Sequence, residues 1–127
     1  MTAAGPEPTR LGMVIYPSQE VPALVSFYAT GLGLPVAFTD GDRFTALRAG
    51  DGLIALAAPA ESIAGASPVA AFLVSDLDAT IERLCSLGAK VIRPAESGPH
   101  ERRAALEDPA GNPFVVYVPV ASQPVSS

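Results

Sequence analysis

The sequence predicts an α+β protein built from two copies of one module, each a strand, a helix and then three strands. Two observations carry this prediction. Segments with strand and helix periodicity follow one another in the same order on both sides of a small-residue linker, Pro59 to Pro68. Equivalent points such as Gly33 and Gly88 lie 55 residues apart (88 − 33), which indicates an internal repeat. Because each helix has one apolar face and covers one face of its sheet, a curved mixed sheet should leave a cleft on its other face.

The first module contains one helix, between its first and second strands. Ser18, Gln19 and Glu20 supply a capping residue and an acidic start for this helix, and Gly31 ends it. Its apolar face, with spacings of three and four, consists of Val21, Leu24, Val25 and Tyr28. The predicted strands, separated by turns rich in Gly and Asp, are Leu11 to Tyr16, Pro35 to Thr39, Phe44 to Ala49 and Leu53 to Ala58.

The second module repeats this order. Ser75 or Asp76 caps its helix, and Gly88 follows the end of that helix. The apolar helix face consists of Leu77, Ile81, Leu84 and Cys85, so Cys85 is expected to be an inert, buried thiol. The predicted strands are Val69 to Val74, Lys90 to Arg93, Arg102 to Glu107 and Phe114 to Val118. We therefore expect one domain at about 10–120, with modules at about 10–58 and 69–120, between flexible tails at 1–9 and 121–127.

Composition and charge exclude several classes of protein. Apolar residues make up 49% of the chain and charged residues 17%, which is too hydrophobic and too weakly charged for a disordered chain. The net charge of −5 comes with no basic stripe, so nucleic acid is not expected as a partner, although acidity hints at a cationic ligand. No apolar run approaches the roughly 20 residues of a membrane span. With a single cysteine and no signal-like N-terminus, a cytoplasmic protein is expected.

Three runs of residues are similar to runs in the vicinal oxygen chelate superfamily, which includes glyoxalase I, extradiol dioxygenases and bleomycin-resistance proteins. Phe27 to Leu34 resembles the family's helix exit, and Phe72 to Asp78 resembles the entry into its second helix. Asp108 to Pro113, with the sequence Asp-Pro-Ala-Gly-Asn-Pro, matches its final hairpin turn. Since such a run is also ordinary turn chemistry, the order and spacing of the three runs carry the resemblance.

The resemblance also implies where a metal ion would be bound. In the family's metalloenzymes, His, Gln or Glu side chains hold a divalent ion in the cleft. These positions fall on Met13, Val69 and Val115, and on Leu56 or Ala58. None of these side chains offers the donor atoms that a divalent ion needs. We therefore expect neither a metal nor a cofactor, and no metal-dependent glyoxalase or dioxygenase activity.

A count of histidines supports the same expectation independently of the alignment. The only histidine is His100, whereas the triad of extradiol enzymes requires two. His100 lies in a Gly-Pro-His-Glu turn, where a solvated loop histidine is the expected state. We predict no catalytic role for it.

Side chains in phase with the vacated ligand positions should line the cleft, because side chains alternate along a strand. The predicted lining is strongly apolar. It comprises Met13, Ile15, Phe44, Leu56, Val69, Ala71, Leu73, Arg103, Val115 and Tyr117. Arg103 and Glu107 share a strand face and either orient a polar ligand or form a solvated edge pair. Phe44 and Tyr117 either stack on a ligand or fill the core.

Three functions fit this pattern. The first is a metal-free protein that binds a small organic ligand in an apolar cleft and sequesters it, as antibiotic-binding members of the family do, usually as homodimers. The second is a metal-independent enzyme that uses groups such as Tyr117, Arg103 or Glu107. The third is an interaction module whose cleft is filled by side chains. The linker permits the modules to pair within one chain or across a dimer.

Overall fold

The computed structural model describes residues 9–120, and the chain forms one eight-stranded sheet with two α-helices. The predicted tails lie outside the described residues, except for Thr9. The helices are α1 (Val21–Leu32) and α2 (Leu77–Ser86), and a 3₁₀ turn spans Pro59–Glu61. The strands are β1 (Arg10–Pro17), β2 (Val36–Asp40), β3 (Phe44–Ala49), β4 (Gly52–Ala57), β5 (Val69–Leu73), β6 (Lys90–Ser97), β7 (Glu101–Glu107) and β8 (Pro113–Pro119).

The element order confirms the predicted pair of modules, each a strand, a helix and three strands. The order of strands across the sheet is β2-β3-β4-β1-β5-β8-β7-β6. Within each module the first strand runs parallel to the last, β1 beside β4 and β5 beside β8. The modules join where β1 pairs antiparallel with β5, as in the match of Ile15 with Val69. The modules thus pair edge to edge within one chain, and the sheet remains open because β2 and β6 are its two edges.

The two helices begin and end for different local reasons. At α2, the Asp76 side chain accepts a hydrogen bond from the Ala79 N–H at 3.0 Å, which confirms the predicted cap. Among the described residues no side chain caps α1; instead Ser18 Oγ accepts from the N–H of Glu20, the residue directly before the helix. Helix α1 continues past Gly31, its predicted end, to Leu32. It is followed by Gly33, whose φ of 70° is the left-handed conformation that glycine adopts without strain. Neither helix, within residues 9–120, has the length and apolar character to cross a bilayer.

Each module packs its helix against one face of the sheet. Under α1, Val21, Leu47 and Leu56 form a buried cluster, with Leu24, Val25 and Tyr28 of the helix packed against it. Under α2, a second cluster comprises Val74, Leu77, Ala104, Leu106 and Val116. On the opposite face of the sheet, small and β-branched side chains form a third cluster: Ile15, Ala55, Ala57, Ile63, Val69, Ala71, Ala105 and Val115. Helices thus cover one face, and the other curves around the cleft.

Three further sequence predictions were wrong in position. Leu56 packs under α1 and does not face the cleft, because Ala55 and Ala57 occupy the cleft side of β4. Cys85 is exposed, whereas its neighbour Leu84 packs against the cluster under α2. Strand β6 extends to Ser97 although Pro94 lies within it, which an edge strand with bulges tolerates.

The final hairpin turn is held by one carboxylate. Asp108 accepts hydrogen bonds from the backbone N–H of Ala110 and from both the backbone and side-chain amides of Asn112, at 2.8–2.9 Å. These bonds, the one from the Asn112 side chain first, hold the pKa of the Asp108 carboxyl below its ordinary value. Gly111 completes the turn with a φ of 91°. The run that resembles the family therefore has a structural task here.

Substitution on the two faces of β4 should separate core packing from cleft lining. We expect Leu56→Ala to lower the free energy of unfolding by about 2–5 kcal/mol, because Leu56 is fully buried under α1. Leu53→Ala is the matched control on the cleft face, where Leu53 is half-buried and the loss should be clearly smaller. Urea denaturation of both variants measures the difference. Equal losses would contradict the observed register.

Candidate functional site

The curved face of the sheet encloses a cleft with two adjoining chambers. The outer chamber has a volume of about 230 Å³. Aromatic and apolar side chains form most of its wall: Phe38, Phe44, Tyr117, Met13, Ala46, Leu53 and Pro119. Its polar side chains are Asp40, Glu61, His100 and Glu101. Both modules and the linker therefore contribute to this one chamber.

The inner chamber is smaller and lies deeper. Its volume of about 30 Å³ corresponds to roughly one water molecule. Ile15, Ile63, Ala71 and Val115 line it together with Arg103. Five side chains border both chambers: Met13, Phe44, Glu61, Glu101 and Tyr117. The two chambers are consecutive parts of one cleft.

The structure brings together most of the side chains that the sequence indicated. Those that line a chamber are Met13, Ile15, Phe44, Ala71, Arg103, Val115 and Tyr117. Val69 is buried in the same cluster but borders neither chamber. Leu73 shares the strand face of Ala71 and also borders neither chamber, and Leu56 lies on the helix side.

A buried arginine binds two carboxylates at the side of the cleft. The Arg103 side chain is only 10% exposed, and its Nη1 donates to Glu61 at 3.0 Å and to Glu101 at 2.9 Å. Burial by itself would lower the pKa of the guanidinium, but the hydrogen bonds and charges of both carboxylates outweigh it and raise that pKa. Glu107, the partner considered from sequence, lies at the far end of β7. Arg103 therefore fastens the linker to β7.

A second polar contact crosses the mouth of the outer chamber. His100, in the turn between β6 and β7, places Nε2 at 3.1 Å from Oδ2 of Asp40 at the end of β2. Because a carboxylate only accepts, the imidazole donates in this contact. The hydrogen bond from His100, followed by the Arg43 charge, outweighs partial desolvation and holds the pKa of Asp40 below its ordinary value. The His100 ring also stands edge-on to Phe38, with 4.7 Å between centroids.

Tyr117 reaches across the cleft from β8. Its hydroxyl lies against Gly12, where a Cβ atom would overlap it. Burial, followed by the negative charge of Glu101, raises the pKa of Tyr117, so its phenol is a neutral hydrogen-bond donor at ordinary pH. Gly12 thus makes room for the largest polar side chain of the cleft.

Five of the chamber's polar or aromatic side chains were not predicted from the sequence. Phe38, Asp40, Glu61 and Glu101 are absent from the predicted lining, and His100 is predicted to be a solvated turn residue. The ring is half-exposed, with 48% of the side chain accessible, so it is indeed solvated, but it also borders the chamber. The contact with Asp40 spans 60 residues, and no local pattern encodes it. The one signal of this contact in the sequence was that both residues are ionisable and lie at or next to the end of a strand.

The cleft does not fit the divalent ion of the family's metalloenzymes. The strand positions facing the cleft carry Met13, Ala55, Ala57, Val69 and Val115, none of which supplies a suitable donor. Within residues 9–120, no three His, Cys, Asp or Glu side chains converge in a way that could hold a metal ion. Glu61 and Glu101, the carboxylates nearest the floor, are already bound by Arg103.

Comparison with known proteins agrees with this fold. A family model described as a glyoxalase-like domain matches residues 13–117. The chain belongs to this glyoxalase-like family. A protein of Mycolicibacterium smegmatis, described as uncharacterized, is 32% identical over 108 residues, which cover 85% of this chain and 92% of that protein. The resemblance to the vicinal oxygen chelate superfamily is thereby confirmed.

Solved structures share the fold of this glyoxalase-like domain at low sequence identity. Methylmalonyl-CoA epimerase from Mycobacterium tuberculosis is 22% identical with a TM-score of 0.69, over 88% of this chain and 89% of that one. A Streptomyces coelicolor epimerase variant in complex with 2-nitronate-propionyl-CoA is 20% identical with a TM-score of 0.72, over 88% and 98%. A glyoxalase/bleomycin resistance protein/dioxygenase superfamily member from Vibrio splendidus is 16% identical with a TM-score of 0.63, over 87% and 97%. These likenesses show the fold.

Removal of the Arg103 guanidinium should be strongly destabilising. We expect Arg103→Met to cost about 3–5 kcal/mol of unfolding free energy, because it leaves two largely buried carboxylates without their cation. The matched control is Arg102→Met on the same strand, whose surface contact with Asp78 should contribute under about 1 kcal/mol. Denaturant unfolding measures both.

A second variant keeps this prediction testable if Arg103→Met is too unstable to fold. Combining it with Glu61→Gln removes one of the two unpaired charges, so the double variant should be more stable than Arg103→Met alone. A double variant less stable than the single one would show that packing, and not charge, governs this position.

Proposed function

We propose that this glyoxalase-like domain binds a small organic molecule in its cleft without the participation of a metal ion. The aromatic wall of the outer chamber is the observation that supports this most directly. Phe38, Phe44 and Tyr117 come from three strands and border one space. Apolar walls with a few placed polar groups are the usual composition of a small-molecule site.

The size of the outer chamber limits the ligand. Sites for drug-sized molecules occupy about 300–1,000 Å³, whereas this chamber measures about 230 Å³. The inner chamber adds little more than the space of one water molecule. We therefore expect a ligand, or the bound part of a larger one, with one or two rings.

The charges bordering the cleft favour a cationic ligand. Asp40, Glu61 and Glu101 carry three negative charges, and Arg103 carries one positive charge. The lining is therefore net negative. A cationic group near the aromatic rings would gain from both the carboxylates and the ring faces. An anionic ligand would be repelled.

Binding without turnover, in other words sequestration, is the form of this function that we propose. The homodimer implied by the family resemblance remains a prediction, which light scattering of the purified protein can test.

Metal-independent catalysis is the second candidate. The raised pKa of Tyr117 favours it, because burial and the Glu101 charge keep a neutral phenol inside the cleft as a potential proton donor. Recovery of a bound ligand in unchanged form supports sequestration, and its conversion by the metal-free protein supports catalysis. Loss of that conversion in Tyr117→Phe would identify the Tyr117 phenol as the proton donor.

A matched set of three probes tests binding and its charge preference. We expect 2-naphthylmethylammonium to bind more tightly than neutral 2-naphthylmethanol, and 2-naphthoate to bind most weakly. Isothermal titration calorimetry or NMR titration measures the dissociation constants. Phe44→Ala should weaken the cation at least about tenfold, which corresponds to about 1.4 kcal/mol.

The control is Phe114→Ala, because Phe114 is a half-buried aromatic on the helix side of the sheet. It should leave the affinity unchanged. Absence of binding by all three probes, or equal effects of the two substitutions, would count against the cleft as the binding site.

A further inference from the structure

His100 interacts with Asp40 and Phe38 in the way that a bound ligand would. The imidazole is a planar nitrogen base, and it is held by one carboxylate at 3.1 Å and by the Phe38 ring at a centroid distance of 4.7 Å. These are the two kinds of group that recognise a planar nitrogen cation. All three side chains border the outer chamber.

His100 lies on a different part of the chain from the two chamber residues that it contacts, so it can move without them. Asp40 and Phe38 belong to strand β2, whereas His100 lies in the turn between β6 and β7. The imidazole is half-exposed, and an exposed pair of this kind contributes little to stability. The imidazole can therefore rotate away from Asp40 at low cost, while the turn keeps its backbone hydrogen bonds and β2 keeps the carboxylate and the ring in place.

We propose that His100 occupies the subsite that a planar cationic nitrogen group of the ligand takes, so that ligand and His100 compete for Asp40 and Phe38. This inference rests on the proposed function of the cleft and names the chemical class of the ligand's polar end: an imidazolium, amidinium, guanidinium or protonated heteroaromatic nitrogen. Ligand binding then displaces the His100 side chain from β2. The ligand's rings lie against Phe44 and Tyr117, and its cation replaces the imidazole.

Chemical complementation tests the subsite directly. His100→Ala removes the internal occupant and leaves the carboxylate and the ring. Free imidazole, added at about pH 6 where most of it is protonated, should bind His100→Ala at least about tenfold more tightly than the wild-type protein. An NMR titration that follows the amide of Asp40 reports the dissociation constant and the place of binding.

Two further variants test whether Asp40 and the missing imidazole are the cause of the tighter imidazole binding. Asp40→Asn in the His100→Ala background should return the affinity to that of the wild type, because the carboxylate supplies the recognition. Pro99→Ala, in the same turn, keeps the imidazole and should behave as the wild type. Equal imidazole affinity in the wild type and His100→Ala, or undiminished affinity in the Asp40→Asn double variant, would overturn the proposal.

The naphthyl probes separate this inference from the function of the cleft. If 2-naphthylmethylammonium binds through Phe44 but imidazole fails to bind His100→Ala, the binding function stands and the His100 subsite is wrong. If imidazole binds His100→Ala through Asp40 while no naphthyl probe binds, the subsite stands and the apolar chamber is not the ligand site.

Discussion

The ion cluster around Arg103 is the constraint on which the cleft depends. Its guanidinium joins Glu61, in the linker between the modules, to Glu101 on β7. Nε of the same group is buried without a hydrogen-bond partner among residues 9–120, at 4.0 Å from Glu96. A buried charge is costly unless its partners are in place, so this cluster permits few arrangements of the linker. The linker position, in turn, fixes Ile63 in the cleft-side core.

The β6–β7 turn is shaped around this cluster. A Cβ atom on Gly98 would lie 2.8 Å from Cζ of Arg103, so only glycine lets the turn approach the guanidinium so closely. The Gly98 N–H also donates to the Glu101 carbonyl at 2.6 Å. Two residues further on, His100 reaches Asp40. One buried cation therefore sets both the inner wall of the cleft and the position of its mouth.

The sequence predicted the fold well because each element leaves a local mark. Apolar spacing predicted the helix faces except at Cys85, and Asp76 and the Asp108 turn marked their own boundaries through short hydrogen bonds. Position within a strand was harder to predict, since a shift of one residue reverses every side chain, and Leu56 was assigned to the wrong face for this reason. Glu61 lies 42 residues from Arg103 and Asp40 lies 60 residues from His100, so only the folded chain brings these pairs together. Much of the apolar lining was thus predictable, whereas the partners of the polar groups were not.

The fold does not determine the chemistry in this family, because the same curved sheet can carry different functional groups on its inner strands. The vacated donor positions of this chain carry short or apolar side chains, and its polar groups lie at the rim and in the linker. One pair of residues connects both regions. A Cβ atom at position 12 would overlap the Tyr117 hydroxyl, so a larger residue there must displace the phenol from its present place. Positions 12 and 117 therefore set the depth of the cleft jointly at this point, whereas the polar groups of the rim belong to other residues.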